Sequence, residues 1–399
     1  MSTPPGPEET TRFYTLAAFF RARLGAGARK VPLDAGFSCP NRDGSLSRSG
    51  CLFCNPAGSG TGLLAQGLGL TEQWAFLAPR LSARHPEARL LAYLQSYSNT
   101  HAGITHLGAV LAEISALPGV SGLCLGTRPD CLDVGPDAGL HAGPDADGSC
   151  ARLDLLASFL RSDVQADISA GTSTGTSTDT SAGASAGAGF DFVQLDLGLQ
   201  SADDAVLARI GRGHDAACFA RAAKAAAARG LSVCAHLVHG LPGARPDDLA
   251  ASVDFLNTLP VGGVKFHNLL VCRGAGLEAL WRAGGRTGGY LPPGREDYVQ
   301  ALVRALVRLR PDICVQRLAA DAAPGELLAP DWAADKNATL LRLRSELARQ
   351  DAWQGKDGFC PDSPPDWDNL PVWNNLPARN RPPGWDKPPG QGADAEEKT

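Results

Sequence analysis

Residues 190–240 read FDFVQLDLGLQSADDAVLARIGRGHDAACFARAAKAAAARGLSVCAHLVHG, and this stretch decides the fold. Its two ends, 190–198 and 231–240, are short runs with β-branched residues bounded by glycine, which is typical of strands. The segment between them, 203–229, is rich in helix-forming residues and stops at Gly230. A strand, a helix and a second strand in this order predict two parallel strands joined by a crossover helix.

The same alternation extends in both directions along the 399 residues. Further strands are predicted at 30–36, 90–97, 119–127 and 263–271, and further helices at 71–84, 105–117, 151–163, 247–258 and 296–310. We therefore expect an α/β fold with a parallel sheet, and the even alternation favours a barrel or partial barrel over an open sheet, although periodicity alone does not decide between them. The expected form is a partial (β/α)6 TIM-like barrel with an N-terminal helix, a C-terminal helical extension and an irregular Pro/Trp-rich tail. The expected division is an N-terminal extension at 1–29, the barrel core at 30–275, a C-terminal α/β extension at 276–355 and the tail at 356–399.

Two segments interrupt the pattern. Residues 169–189, SAGTSTGTSTDTSAGASAGAG, carry too little apolar surface to pack, so we interpret them as a disordered insertion in the core. The tail contains a near-repeat, WDNLP at 367–371 and WNNLP at 373–377, and its prolines oppose regular structure. An irregular tail is expected, while its tryptophans leave docking of a partner open.

Bulk composition narrows the class of protein. The formal charge of −5 gives no global attraction to nucleic acid or to an anionic membrane, although a local basic face is compatible with it. The start of the chain lacks the features of a signal peptide, and no apolar run approaches the roughly 20 residues that span a bilayer. Eleven cysteines in a chain of this size argue against a disulfide framework and favour metal binding or catalysis. We expect a soluble, cytoplasmic protein.

Three of the eleven cysteines lie in one polar loop, FSCPNRDGSLSRSGCLFCN at 37–55, with the spacing C-x11-C-x2-C, and the other eight are scattered along the chain. A closed zinc site takes four ligands, usually as two close pairs, whereas this loop supplies one pair and one outlier. A cubic [4Fe–4S] cluster normally takes four thiolates. With three, one iron is left for the amino and carboxylate groups of a small molecule. An unrelated zinc or structural thiol site is the alternative.

A set of motifs carries a family resemblance from about Arg12 to about Gly355, interrupted mainly at 135–189. In chain order they are VPLDAGFSCPNRDG, GCLFCN, QSYSNT, GTRPDCL, LDLGLQSADD, IGRGHD, HGLPG, VQRL and LAPDW…NK. Together they resemble the radical S-adenosylmethionine (SAM) superfamily, and within it the YhcC-like branch, which is related to the catalytic subunit of Elongator.

The resemblance implies a cofactor pair and an activity. Cys39, Cys51 and Cys54 would hold a [4Fe–4S] cluster, and SAM would bind its free iron. One-electron reduction, from a donor such as flavodoxin or ferredoxin, would cleave SAM to methionine and a 5′-deoxyadenosyl radical. That radical would abstract hydrogen from a substrate held in the barrel.

Several positions are expected to contact SAM. Gln200 and Arg212 resemble SAM-contacting residues of coproporphyrinogen-oxidase-like enzymes, and an amide and a guanidinium suit hydroxyl and carboxylate groups. Gln95, Ser96 and Asn99 end the second predicted strand, where this superfamily often holds the SAM amino group. Ordinary structural hydrogen bonding is the alternative for each of them.

Three further polar residues are candidates for the site. His236 stands where the oxidases carry an acid that binds ribose, so a cofactor-binding role for it is less direct. Asp196 alternates with Gln194 and Gly198 on the fourth predicted strand and is expected to point into the barrel, where a carboxylate must be paired or functional. Arg128 is expected to project towards an anionic substrate or the SAM carboxylate, with a salt bridge to Asp130 as the alternative.

The substrate is less well specified than the chemistry. The Elongator relationship points to the side chain of a wobble uridine in transfer RNA (tRNA), and a splayed-out base can enter a pocket. Basic residues lie near both ends of the core, although solvated helix faces would explain them equally well. They are Arg12, Arg21, Arg23, Arg29, Lys30, Arg304, Arg308, Arg310 and Arg317. The alternatives are a small metabolite or protein side chain as substrate, or a non-catalytic iron–sulfur or zinc module that binds a partner.

Overall fold

The computed structural model describes residues 11–55, 58, 60, 62–134, 150–161, 189–284, 289–360 and 362–367. The 169–189 insertion, apart from Gly189, lies outside these residues, and so does the tail beyond Trp367. Among the helices of the described ranges, none combines the length and the apolar character needed to cross a membrane.

Seven parallel strands form one sheet in the order β1-β2-β3-β4-β5-β6-β8. Their bounds are β1 Ala28–Leu33, β2 Arg89–Leu94, β3 Val120–Thr127, β4 Phe192–Gln200, β5 Ser232–His239, β6 Gly263–Asn268 and β8 Cys314–Arg317. Two short strands, β7 Val271–Cys272 and β9 Leu327–Ala329, pair antiparallel beside it. The fold class predicted from the alternating pattern is confirmed, and β8 adds a seventh strand that the sequence pattern did not indicate.

Helices surround the sheet, and most of them pack against its outer face. Those before β4 are α1 Leu16–Leu24, α2 Pro40–Asp43, α3 Leu70–Arg84, α4 Ile104–Ser115 and α5 Ala151–Ser158. Those after it are α6 Asp204–Arg209, α7 Ala216–Ala227, α8 Asp248–Asn257, α9 Gly276–Ala283, α10 Arg295–Arg308 and α11 Lys336–Arg349. Buried apolar side chains of helices and strands, such as Leu107, Leu195 and Leu302, form the outer core.

The single helix expected over 203–229 is wrong, because the chain folds there as two helices. Asp203 caps α6 by accepting from the Ala205 amide, and Asp215 caps α7 by accepting from the Cys218 amide. Between them Gly211 and Gly213 adopt φ values of 67° and 77°, which glycine tolerates and other residues avoid. The break carries Arg212 away from the helix axis and towards the carboxyl ends of the strands.

The sheet curves into a partial barrel. Its edge strands approach each other inside the curve, where Lys30 Nζ on β1 donates to Gln316 Oε1 on β8 over 3.3 Å. The inner face carries several polar side chains, including Gln194 and Asp196 on β4. Because polar groups buried in this way must be paired, the interior of the barrel requires its own network of hydrogen bonds.

The amino end of the barrel is closed by the two ends of the described chain. Phe20 and Leu24 of α1 pack against the inner residues Leu91 and Phe192. Trp367 donates its indole N–H to the Thr11 carbonyl at 2.7 Å and stacks on Tyr14 with ring centroids 6.5 Å apart. Trp367 is therefore occupied within the chain, and the remaining tryptophans of the tail lie outside the described residues.

Candidate active site

A cavity of about 520 Å³ opens at the carboxyl ends of the strands. All three cysteines of the polar loop line it, and so do most of the other residues expected from the sequence. Those lining residues are Cys39, Cys51, Cys54, Gln95, Arg128, Asp196, Gln200, Arg212 and His236. Ser96 and Asn99 are not among the residues that line it. In parallel α/β folds this end of the sheet is the usual position of an active site.

The thiol end of the cavity, formed by Cys39, Cys51 and Cys54, is fixed to the α6–α7 turn. Cys39 precedes α2 and accepts from the Arg42 amide through its carbonyl. The Asn41 side-chain amide donates both to Cys51 Sγ at 3.2 Å and to the Gly211 carbonyl at 2.8 Å. One buried amide therefore ties the cysteine loop to the turn that follows α6.

Arg212 reaches the same thiol from the other side. Its Nη1 lies 3.7 Å from Cys51 Sγ, and its Nη2 donates to the Gly198 carbonyl at 2.9 Å. A Cβ on Gly198 would lie 2.4 Å from Arg212 Nη2, so only glycine permits this approach. A hydrogen bond from the Cys54 thiol, together with the Arg212 and Arg128 guanidinium groups, holds the pKa of the Cys51 thiol well below its usual range. The same hydrogen bond raises the pKa of the Cys54 thiol well above its usual range, so a thiolate is favoured at Cys51 and not at Cys54.

Arg128 does not project freely above the barrel. It forms a bidentate pair with Asp130, with N–O distances of 2.9 and 2.7 Å, and its Nη2 donates to the Arg212 carbonyl at 2.7 Å. The salt bridge that was the alternative interpretation is the one the structure contains. Arg128 positions the backbone of Arg212, while its Nη1 is buried without a hydrogen-bond partner among the described residues.

The spacing of the thiols bears on the kind of metal group that they could hold. Among the described residues, the one trio of candidate ligands whose ligating atoms lie within 4.8 Å of one another is Asp196, Cys234 and His236. A tetrahedral zinc ion with Zn–S bonds of about 2.3 Å needs sulfurs about 3.8 Å apart. The sulfurs of Cys39, Cys51 and Cys54 are not all within 4.8 Å of one another. This spacing is wider than one tetrahedral ion requires and is compatible with a cluster in which each thiolate binds a different iron.

Buried polar atoms without partners surround the thiol end. Within the described ranges these include Ser98 Oγ, Arg128 Nη1 and Arg212 Nε, all on residues that line the cavity. Each such atom costs about 1–3 kcal/mol if nothing satisfies it. Their convergence beside three thiols fits a cluster and a polar cofactor bound to it.

The remaining expected cofactor contacts differ in accessibility. Gln200 faces the cavity with a left-handed φ of 77°, next to a break in the β4–β5 register, and non-glycine residues held in this way are often functional. Gln95 also faces the cavity. Asn99 lies behind it, only 1% exposed, where its amide donates to the Leu94 and Gly126 carbonyls. Asn99 therefore joins the ends of β2 and β3 and does not reach the cavity.

Deeper in the barrel lies a second polar group, the Asp196 cluster, formed by Lys30, Tyr93, Gln194, Asp196 and Lys265. Asp196 is paired with Lys265, accepts from Gln194 Nε2 at 2.6 Å and lies 3.8 Å from Lys30 Nζ. Lys265 also donates to the Tyr93 hydroxyl at 3.2 Å. The inward orientation expected for Asp196 is observed, and the carboxylate is fully paired.

Charges set the protonation states of this cluster. Although burial alone would raise it, the ammonium groups of Lys265 and Lys30 hold the pKa of Asp196 well below its usual range. Burial, assisted by Lys265, lowers the pKa of His236 to about 4, so its imidazole is neutral near pH 7. Since Lys265 already occupies the carboxylate, a metal ion bound by Asp196, Cys234 and His236 would face an ammonium group. We therefore exclude that trio as a metal site.

The sequence analysis did not identify Lys265 and His267 as site residues, and it counted Lys30 and Arg317 among the basic residues available to bind tRNA. Lys265 and His267 line the cavity from β6. Their spacing of two residues within the predicted strand 263–271 was the available signal, because it puts both side chains on one face. Lys30 and Arg317 face the barrel interior, so the basic residues of the core do not form one surface that could bind nucleic acid.

Comparison with known proteins identifies the family of the chain. The model of the radical SAM superfamily matches residues 151–256, and the model of the radical SAM C-terminal domain matches residues 261–349. Protein YhcC of Escherichia coli is 33% identical over 321 residues, covering 80% of this chain and 87% of that protein. The chain belongs to the radical SAM superfamily of enzymes, in its YhcC-like branch, and this superfamily uses a [4Fe–4S] cluster and SAM.

More distant similarities point towards Elongator. Elongator complex protein 3 of Danio rerio is 31% identical over 122 residues, which are 30% of this chain and 22% of that protein. The structure of the Elp3 protein of Methanocaldococcus infernus superposes with a TM-score of 0.53 at 13% identity. It covers 82% of this chain and 64% of that one. At this identity the superposition supports the fold alone.

Proposed function

We propose that Cys39, Cys51 and Cys54 hold the [4Fe–4S] cluster and that SAM binds beside it. The observation that carries this proposal is the convergence of three thiols and the Arg212 guanidinium on one cavity. When bound, the cluster and SAM supply one-electron chemistry and the abstraction of a hydrogen atom from a substrate. The protein holds the thiol end in place through Asn41 and Arg212.

The residues around the thiols suit a polar cofactor. Arg212 and Gln200 present a guanidinium and an amide to the cavity, and Gln95 faces them from the end of β2. In this proposal Arg212 binds a carboxylate, the two amides bind amino or hydroxyl groups, and Ser96 completes the polar wall behind them. Arg128 acts through Arg212, because its contacts are with the Arg212 carbonyl and Asp130.

As substrate we propose the side chain of a wobble uridine in tRNA. The support is the sequence similarity to Elongator complex protein 3 over 122 residues. A cavity that opens at one end of the barrel suits a base presented from a loop of RNA. The charge of the chain gives no general attraction to RNA, so the contacts with tRNA must be local.

Two experiments test the activity and the substrate separately. The chain reconstituted without oxygen is expected to bind iron and sulfide and, on reduction by dithionite, to release 5′-deoxyadenosine. A chain that binds zinc and never cleaves SAM would contradict the proposed chemistry. Mass spectrometry of tRNA nucleosides from a deletion strain is expected to show a changed profile at uridine-34. An unchanged profile would exclude the tRNA substrate while leaving the enzyme class intact.

One observation favours a small metabolite as the alternative substrate. The amino end of the barrel is closed and the cavity reaches down to paired charges around Asp196, a setting that suits a compact polar molecule. We further propose that flavodoxin or ferredoxin donates the electron and that the protein acts in the cytoplasm. All eleven cysteines are free, which is consistent with a reducing compartment.

A further inference from the structure

The wall of the cavity formed by β6 and β8 carries more positive than negative charge. Lys265 and Arg317 are register partners on these two neighbouring strands, and both line the cavity. Like charges placed opposite each other in a sheet are destabilising. The Asp196 carboxylate in the same cavity is already bound by Lys265 and Gln194. Within the described parts of the chain, the Arg317 guanidinium forms no hydrogen bond or ion pair.

Two further polar groups beside Arg317 also lack partners. Asn268 is 3% exposed, and its Oδ1 accepts from the Ala320 amide at 2.9 Å, whereas its Nδ2 has no partner among the described residues. His267 stacks on His236 with ring centroids 5.3 Å apart, and its buried Nε2 is likewise without a partner there. We call His267, Asn268 and Arg317 the Arg317 wall.

The electrostatic state of the wall favours an anion and not a further cation. Burial, followed by the charges of neighbouring groups that include Arg317 and Lys265, holds the pKa of His267 well below its usual range. The ring is therefore neutral near pH 7. The acids at the cavity rim are engaged elsewhere, since Asp321 pairs with Lys336 at 2.7 Å and Glu326 accepts from Asn55 at 2.6 Å. Neither is paired with Arg317.

We propose that the cavity binds a substrate bearing a carboxylate or phosphate group, which Arg317 holds together with the side chains of Asn268 and His267. A guanidinium matches either group with two parallel hydrogen bonds, the amide adds a further donor, and the neutral imidazole adds another in the tautomer that carries its proton on Nε2. The inference rests on the proposed function in that the substrate enters the same cavity as SAM. A uracil ring is neutral, so in a tRNA substrate the charge would lie on a group attached to the base or on a second, small substrate.

The test is anion binding to the reconstituted full-length enzyme under anaerobic conditions. Inorganic phosphate and succinate are titrated separately at constant ionic strength, with and without SAM, by isothermal titration calorimetry. We expect one of them to bind with a stoichiometry of one per chain, and its identity separates phosphate from carboxylate substrates. Arg317→Gln is expected to weaken that binding about tenfold or more, because a charge-assisted pair is lost. Arg308→Gln is the matched control, since Arg308 is exposed and pairs with Asp254 outside the cavity.

A second variant guards against misfolding of Arg317→Gln. Asn268→Asp keeps the oxygen that accepts from Ala320 and places a negative charge in the wall, so it is expected to abolish anion binding. Absence of saturable binding by both anions, or unchanged affinity in the variants, would overturn the inference. Displacement of the anion by SAM would also overturn it, because the anion would then occupy the cofactor site. Cleavage of SAM and the tRNA nucleoside profile are independent readouts, so failure here is distinguishable from failure of the proposed function.

Discussion

The thiol end and the Asp196 cluster are both buried and polar, yet they differ in whether their polar atoms have hydrogen-bond partners within the protein. Around the thiols, Arg212 Nε and Arg128 Nη1 are buried without partners among the described residues. In the Asp196 cluster, by contrast, the carboxylate and the lysines bond to one another. The difference indicates that the thiol end is built to receive ligands, whereas the Asp196 cluster maintains its own charge pattern when the cavity is empty.

The largest expected effect comes from removing a thiol. Cys51→Ala is expected to abolish both cluster binding and SAM cleavage. The cluster has four irons, and with only two thiolates a second iron would lose its protein ligand. Iron and sulfide content and the release of 5′-deoxyadenosine measure the two losses. Cys360→Ala is the control, since Cys360 is half-buried and does not line the cavity. Retention of both properties in Cys51→Ala would remove the distinction between the two regions.

The next largest effect is the loss of folding stability expected when the Asp196 carboxylate loses its partner within the cluster. Lys265→Met leaves a fully buried carboxylate short of its main partner and is expected to cost about 3–5 kcal/mol of unfolding free energy. The double variant with Asp196→Asn is expected to recover part of that loss, because the unpaired charge is removed with its partner. Urea unfolding measures both. A double variant as unstable as the sum of the single variants would show that the pair is not coupled.

A smaller effect is expected where the two regions meet on β4. Gly198→Ala adds a methyl group 2.4 Å from Arg212 Nη2, so the guanidinium must move away from Cys51. Displacement of a positioning group by about 1 Å can reduce a rate up to about a hundredfold, and we expect slower SAM cleavage in a folded protein. Gly27→Ala is the matched control, because nothing lies within 4 Å of its added methyl. Equal rates in the two variants would argue against a role for Arg212.

The smallest effect is a pH dependence of stability that arises beside the Asp196 cluster. The pKa of His236 is lowered by burial to about 4, so protonation favours the unfolded chain. The stabilisation is complete above the ordinary pKa of about 6.5 and is lost as the pH falls towards 4. Near pH 5 the loss amounts to about 2 kcal/mol.

His236→Phe tests this assignment, because a ring that cannot titrate is expected to flatten the fall of the unfolding midpoint between pH 7 and pH 5. His85→Phe, at the end of α3, serves as the comparison. The same pH dependence in wild type and His236→Phe would assign the effect to other groups.

The fold was largely predictable, because each strand and helix is encoded by a continuous run of residues. The break between α6 and α7 was missed because the helix-forming residues around Gly211–Gly213 dominate the average over the segment. Strand β8 was missed because four residues, CVQR, give too short a pattern to separate from a loop.

The two regions of the site also differed in how far they could be predicted. The thiols lie within 16 residues of one another and form a recognisable spacing. The Asp196 cluster gave no such signal, since Lys265 pairs with residues 69 and 172 positions away. Only the curvature of the sheet brings these side chains together. For Arg128 the sequence indicated one of two contacts. The salt bridge to Asp130, two residues away, could be expected, whereas the hydrogen bond to the Arg212 carbonyl could not.

The closure of the amino end by α1 and Trp367 bears on the order in which molecules enter. Because the described residues close the amino end of the barrel, substrate and cofactor must both enter through the opening at the carboxyl ends of the strands. A substrate that binds near the Asp196 cluster must therefore enter the cavity before SAM binds beside the cysteines, or at the same time. Steady-state kinetics of the assembled enzyme should therefore show ordered binding, with the substrate first and SAM second. Excess SAM should slow turnover at low substrate concentration.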